Sequence, residues 1–213
     1  KKNIKFLGID PSKNVGDIAN SKGLTTLIDF FNKRSVDKVT NKYGRPNIVV
    51  ASSIFTHLKN PDKFIKNLKS LLDKNGTFIL EIEYLHSIIK KNQFERFYFD
   101  RPYYYSLNSI NKLFSKNKMS FVNYEKIKTH GGSVRCFIKN QQSSKKSSKL
   151  TKALINENKI FNKKNIQLFS KKIDHYSKDF KNKILEMINK KNFVIGYGCP
   201  ARVSTITNLS LIG

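Results

Sequence analysis

Four stretches of this sequence carry residue types that could do chemistry. Asp10 follows an apolar run, Ile4 to Ile9, that reads as a buried strand. A carboxylate at the carboxyl end of such a strand can accept both hydroxyls of a ribose, and Asp10-Pro11-Ser12 can equally supply a plain helix cap. His57 follows a second apolar run ending at Ala51-Ser52-Ser53. A histidine at that edge can act as acid, base or hydrogen-bond donor, although a lone loop histidine is often only solvated. Phe94 to Tyr105 is dense in aromatic rings and carries Glu95, Arg96, Asp100 and Arg101. Rings interleaved with arginine can stack bases or line a pocket for a sugar nucleotide. Core packing accounts for some of the rings, but each buried tyrosine hydroxyl needs a partner, which favours a pocket wall. Gly196-Tyr197-Gly198-Cys199-Pro200-Ala201 matches G-x-G-x-x-A. Between a strand and a helix this pattern can hold a phosphate, though a tight turn uses glycine for its own reasons.

The elements that must position these residues alternate in type. Strands are expected at Ile4 to Ile9, Leu24 to Ile28, Asn47 to Ala51 and Thr77 to Ile82. Helices are expected after Ser12, through Val36 and Val39, and from Pro61, where Phe64, Ile65, Leu68, Leu71 and Leu72 fit one helical face. Near-continuous apolar strands between helices predict a parallel sheet covered on both faces. Ser106 to Phe114 reads as a helix, and Phe121 to Lys128 and Val134 to Lys139 as two strands. The Ser/Lys-rich stretch 141–149 has almost nothing to bury and reads as a linker between a sheet domain at 1–140 and a second unit at 150–213. That unit reads as a long helical stretch, about Leu150 to Ile188, then a strand at Phe193 to Ile195 and a helix beginning near Arg202, the opening of a second α/β domain.

Composition bounds the rest. With 213 residues, 38% hydrophobic and 12% aromatic, the chain can bury a real core. A net charge of +26 points first to nucleic acid or an anionic membrane. Lysine far exceeds arginine, however, and readers of nucleic acid lean on arginine for bidentate contacts, so a generally basic surface is preferred, a charge that steers an anionic substrate is the alternative, and nucleic acid is disfavoured as a partner. Cys136 and Cys199 are too few for a disulfide framework or a zinc site, so no metal is expected within the chain and a reducing cytoplasm is the expected compartment. No apolar run is long enough to span a membrane. Both ends, Lys1 without a preceding Met and Gly213 after an apolar run, read as cut.

Together the motifs resemble a known family. Asn92-Gln93-Phe94 with Tyr98, Tyr104-Tyr105-Ser106-Leu107 and Thr129-His130-Gly131-Gly132-Ser133-Val134-Arg135 look like the nucleotide-sugar C-methyltransferases, which act on dTDP-linked keto-deoxysugars. Gly8-Ile9-Asp10-Pro11-Ser12, Ile54-Phe55-Thr56-His57-Leu58 and Gly196 to Arg202 agree in order and spacing. The resemblance implies a Rossmann-like class I methyltransferase sheet using S-adenosylmethionine, followed by an α/β domain that helps bind the nucleotide sugar. It places a zinc domain, a first strand and a glycine-rich cofactor loop ahead of this stretch, so the chain alone is expected to bind the cofactor poorly. It further implies that Asp10 holds the cofactor ribose, that Asp29 and Phe30 lie near the adenine, and that Ser52 and Ser53 border the methionine end. Tyr104, Tyr105, His130, Gly131, Gly132, Arg135, Gly196, Gly198, Ala201 and Arg202 fall to the acceptor.

Such enzymes remove a proton next to a ketone and let the enolate take the methyl group, so a base and an enolate stabiliser are required. The family's Y-H-E-H stretch is here Tyr98-Phe99-Asp100-Arg101. Both histidines are replaced, and arginine stays protonated near neutral pH. His57 or Tyr98 must then take the proton, with Asp100 beside them and Arg101 free to hold an enolate or carboxylate, or the methyl goes to another atom. Two other readings compete, a basic nucleic-acid-binding protein and a nicotinamide-dependent enzyme using Gly196 to Ala201.

Overall fold

The computed structural model describes residues 4–142 and 145–211. Residues 143–144 of the expected linker, and both chain ends, lie outside the described residues.

The first layer is a short parallel pair, β1 (Gly8–Asp10) and β2 (Thr26–Ile28), wrapped by α1 (Lys13–Ser21) and α2 (Lys33–Tyr43). Asn32 starts α2 by accepting from Ser35 N at 3.0 Å while Ser35 Oγ accepts from Asn32 N, a reciprocal cap that satisfies two otherwise orphaned donors. The second sheet has four strands in the order β3–β4–β6–β5: β3 (Ile48–Ser52), β4 (Thr77–Glu83), β5 (Ser120–Ile127) and β6 (Ser133–Lys139). β3 and β4 run parallel, connected by α3 (Pro61–Leu71), whose N-cap is Asn60 and whose first residue is proline. A short α4 (Leu85–Lys90) and the aromatic loop lead to α5 (Leu107–Lys116), capped reciprocally by Ser106 and Ser109.

The expected strands and helices of the sheet domain are found, each within a few residues, but three expectations about their assembly fail. The sheet is not all parallel, because β6 pairs antiparallel with both β4 and β5. It is not continuous, because β1–β2 and β3–β6 form separate sheets among the described residues. Nor is it covered on both faces. Phe78, Leu80 and Ile82 point from β4 into a core shared with α3 and α5, with Phe55 and Phe114 at its centre. On β3, Ile48 and Val50 remain 60% and 61% exposed.

Beyond β6, α6 (Ser148–Ile160) returns to this core, where Leu150 is fully buried. α7 (Lys163–Asn189) and α8 (Ala201–Ser210) follow. The strand expected at Phe193 to Ile195 is not formed. Phe193 and Ile195 are 89% and 72% exposed, and a strand with no neighbour to complete its hydrogen bonds is not stable. No helix among the described residues is long and apolar enough to cross a membrane.

Candidate active site

The carboxyl ends of β1, β2, β3 and β4 meet along one edge. Asp29 follows β2 and its N–H donates to the Asp10 carbonyl, so the two residues stand side by side. Phe31, two residues on, packs its ring 4.7 Å from Phe64, and Phe55, past β3, packs 5.7 Å from that same ring. Phe64 in α3 therefore ties the β2 end to the β3 end, and with them Asp10, Asp29, Ser52 and His57. Ile9, Leu27 and Val49 pack on one small cluster with Val36, Val39 and Leu71, which fixes β1 and β2 against β3 across the break between sheets.

Asp10 Oδ1 accepts from Ser12 N at 2.8 Å, so the carboxylate does shape the turn into α1. Its second oxygen takes no part in that bond and can accept from a ligand. Asp29 is engaged by both oxygens with Arg34 Nη2 at 3.0 and 3.1 Å, a hydrogen bond that holds its carboxyl below the usual range against the opposing effect of desolvation. Phe30 beside it is 71% exposed, an open aromatic face. Ser52 Oγ donates to Glu81 Oε2 at 3.1 Å, and Ser53 adopts φ 60°, a left-handed conformation that bends the chain sharply out of β3. An open ribose-type acceptor, an exposed ring and a strained turn fit the adenosyl and methionyl parts of S-adenosylmethionine.

His57 reaches the aromatic loop. Its Nδ1 lies 3.0 Å from the Asp100 carbonyl oxygen and 3.6 Å from Asp100 Oδ2. A carbonyl can only accept, so Nδ1 carries the hydrogen and donates, which leaves the Nε2 lone pair of the neutral ring open. The Arg101 guanidinium stacks 4.9 Å above the ring of Tyr98. Tyr104 Oη donates to the Arg96 carbonyl and accepts from Tyr98 N, so it shapes the loop. Tyr105 is buried against Phe55, and its hydroxyl has no hydrogen-bond partner among the described residues.

The residue that organises this edge, Glu83, was not singled out in the sequence. It ends β4 with its side chain 5% exposed, 2.6 Å from Arg101 Nη1 and 3.1 Å from Arg96 Nη1. Burial alone would raise its pKa, but Arg101 and then Arg96 outweigh it and hold the carboxyl below the ordinary range. Glu81, two residues earlier on that face of β4, is held down mainly by its bond from Arg135 Nε at 2.6 Å. The pattern Glu81-Ile82-Glu83 in an otherwise apolar strand was the available signal, since alternate residues share a face.

His130, with φ 49°, and the two glycines after it turn the chain into β6. Gly131 has φ 73°, and a Cβ there would stand 2.6 Å from Gln93 Nε2 and 2.7 Å from Arg96 Nη2. Gly131 thus admits Arg96 to the edge, while a Cβ on Gly132 would stand 2.8 Å from Ser87. His130 itself is exposed, and Arg135 is spent on Glu81 and Glu125. Gly196 and Gly198 lie in exposed coil, where a Cβ added to either would meet nothing within 4 Å, so the strand-turn-helix context for a phosphate loop is not formed. Ala201 opens α8, and Arg202 comes within 4.0 Å of Glu83 Oε1. α8 is docked on the aromatic loop by Thr205 Oγ1, which donates to the Phe97 carbonyl at 2.8 Å.

Comparison with known proteins shows the family. Residues 1–119 match a family described as a methyltransferase domain, and residues 128–213 one described as a C-methyltransferase C-terminal domain. C-methyltransferase NovU of Streptomyces niveus is 27% identical over 133 residues, 62% of this chain but 32% of NovU, so the chain spans under two thirds of that relative. Among solved structures, magnesium protoporphyrin IX methyltransferase from Synechocystis superposes with TM-score 0.45 at 18% identity, covering 62% of this chain and 63% of that one. A SAM-dependent methyltransferase from Anabaena variabilis gives TM-score 0.46 at 15% identity, covering 62% and 67%.

Proposed function

This chain belongs to the family of methyltransferase domains, and from that premise we propose that it serves S-adenosylmethionine-dependent methylation of carbon, next to a ketone, on a nucleotide-linked sugar. The observation that carries the reading is His57, whose Nδ1 is fixed on the Asp100 carbonyl at 3.0 Å at the carboxyl edge of the sheet, beside the Arg101–Glu83 pair. The C-methyltransferase named in the C-terminal match and NovU support carbon as the methylated atom.

When bound, S-adenosylmethionine supplies an electrophilic methyl group. Asp10 holds its ribose through the free carboxylate oxygen, Phe30 offers a face to the adenine, and Ser52 and Ser53 border the methionine end. In the acceptor, a proton next to the ketone passes to His57 Nε2, and the electron pair it leaves is delocalised onto the ketone oxygen. Arg101, protonated and fixed by Glu83, has in this reading the role of holding that oxyanion. Asp100 orients His57 through its carbonyl and stabilises the imidazolium through its carboxylate, 3.6 Å away. Tyr104 and Tyr105, with the His130-Gly131-Gly132 turn, shape the acceptor side, and Arg202 brings the C-terminal segment onto it. The resemblance puts a further strand and glycine-rich loop N-terminal to this stretch. The gap between β1 and β3 is where such a strand would pair.

The test is turnover of dTDP-keto-sugars by the protein extended through that upstream segment, with the methylated atom located by NMR. His57→Ala should abolish carbon methylation. Arg101→Lys should cost about tenfold to hundredfold in kcat, because lysine keeps the charge but loses the planar fork. Methyl transfer to oxygen or nitrogen, untouched by His57→Ala, would replace this reading with an alkylation that needs no carbon acid.

A further inference from the structure

Three guanidinium groups converge on one buried carboxylate at the acceptor edge. Glu83 Oε2 is 2.6 Å from Arg101 Nη1 and 3.1 Å from Arg96 Nη1, and Glu83 Oε1 is 4.0 Å from Arg202 Nη2. Among the described residues, the other carboxylate paired with this cluster is Glu95, more open and 3.8 Å from Arg96 Nε. Three positive charges thus face two negative ones in a region where Arg96 and Arg101 are 6% and 10% exposed.

The hydrogen bonding is also incomplete. Although the ion pairs are close, their angles leave both Glu83 oxygens and Nε and Nη1 of Arg96 and of Arg101 without a hydrogen-bond partner among the described residues. A buried network left with excess positive charge and incomplete hydrogen bonds is costly, and an anionic ligand or water is one way to complete it. Arg202, whose ion-pair partner among the described residues is Glu83 at 4.0 Å, is 36% exposed, so it forms the open side of the cluster. It sits in the first turn of α8, where the helix dipole favours an anion, and α8 is pinned by the Thr205–Phe97 bond.

We propose that Arg101 and Arg202, with Glu83 between them as resident counter-ion, form a recognition site for an oxyanion carried by the acceptor. The planar forks suit a carboxylate on the sugar ring or a phosphoryl group of the nucleotide, and both present paired oxygens of this chemistry. The site rests on the reading that this edge receives the acceptor, but its test is equilibrium binding and does not depend on turnover. Glu83 sets the affinity by competing for the forks, and the incoming anion completes the donors that Glu83 leaves unsatisfied.

The experiment is a titration of the chain, 15N-labelled at arginine, with D-glucuronate and separately with inorganic pyrophosphate. Ionic strength is held constant with chloride so that the general basic charge is controlled. Saturable shifts of the Arg101 and Arg202 Nε–H signals are expected with at least one probe, weakened about tenfold or more in Arg202→Gln and strengthened in Glu83→Gln. Lys152→Gln, which removes one exposed charge from α6, should bind like the parent. Response to glucuronate identifies a ring carboxylate, and response to pyrophosphate alone identifies the nucleotide phosphates. Because Arg202 is partly exposed, its variant keeps the test valid if Arg101→Gln does not fold. No saturation with either anion, or equal affinity in Arg202→Gln and Lys152→Gln, overturns the proposal.

Discussion

Replacing Glu157 by Gln should loosen the join between α6 and the sheet domain, although the side chain changes by a single heavy atom. Glu157 is 1% exposed, and its carboxylate accepts four hydrogen bonds. Oε1 takes Tyr84 Oη at 2.8 Å and Leu107 N at 2.9 Å, and Oε2 takes Asn108 N at 2.7 Å and Asn108 Nδ2 at 3.0 Å. Two of these donors are free N–H groups in the first turn of α5, so the charge also sits on the positive end of a helix. Glutamine keeps one acceptor oxygen and turns an NH2 group toward two donors. Losing two charge-assisted bonds, each about 1.5 to 3 kcal/mol, and stranding their donors should cost about 3 to 5 kcal/mol. With a urea slope of about 2 to 3 kcal/mol/M, the midpoint should fall by about 1 to 2.5 M while the slope is unchanged. Tyr84→Phe removes one of the four bonds and should cost about 1 to 2 kcal/mol. A loss under about 1 kcal/mol for Glu157→Gln would refute the claim that this carboxylate clamps α6.

Two further outcomes follow from the edge itself. The folded pKa of Glu83 is depressed, so its contribution to stability is present above the ordinary carboxylate range, about 4.3, and is lost as pH falls through the folded value. Denaturation midpoints measured from pH 7 downward should therefore decline below about pH 5, and less steeply in Glu83→Gln; identical slopes would show that the pairs with Arg96 and Arg101 are not formed. Gly131→Ala puts a methyl group against Gln93 and Arg96 at φ 73° and should cost about 1 to 3 kcal/mol, read by thermal melting, whereas an unchanged melting temperature would show that the turn does not hold Arg96.

What was legible in the sequence was local. Pro61 announces α3 and Ser106 starts α5, because caps and proline act within one turn, and the β4 strand is plain from its apolar run. The family resemblance was legible because it sums several short motifs. Pairing over distance was not. The contact between His57 and Asp100 bridges two loops whose approach is set by Phe55 packing on Tyr105 and Phe64, and no spacing rule encodes it. Glu83 reads as a strand-end carboxylate until Arg96 and Arg101 close over it in the fold. Phe193 to Ile195 has the composition of a strand, but a strand is completed only by a neighbour, which the sequence of one segment cannot supply. The antiparallel return of β6 was hidden for a related reason, since β4 is apolar on one face and ionic on the other whichever way its neighbour runs.

Asp10 and its neighbours at the carboxyl edge are proposed to hold S-adenosylmethionine. Calorimetric titration of the cofactor into the protein extended through the upstream strand and loop, in parent and Asp10→Ala forms, tests it most directly. Saturable binding by the parent is expected, weakened about tenfold or more in Asp10→Ala through loss of a charge-assisted bond to the ribose. Absence of binding by the extended parent, or equal affinity in the two forms, would contradict it.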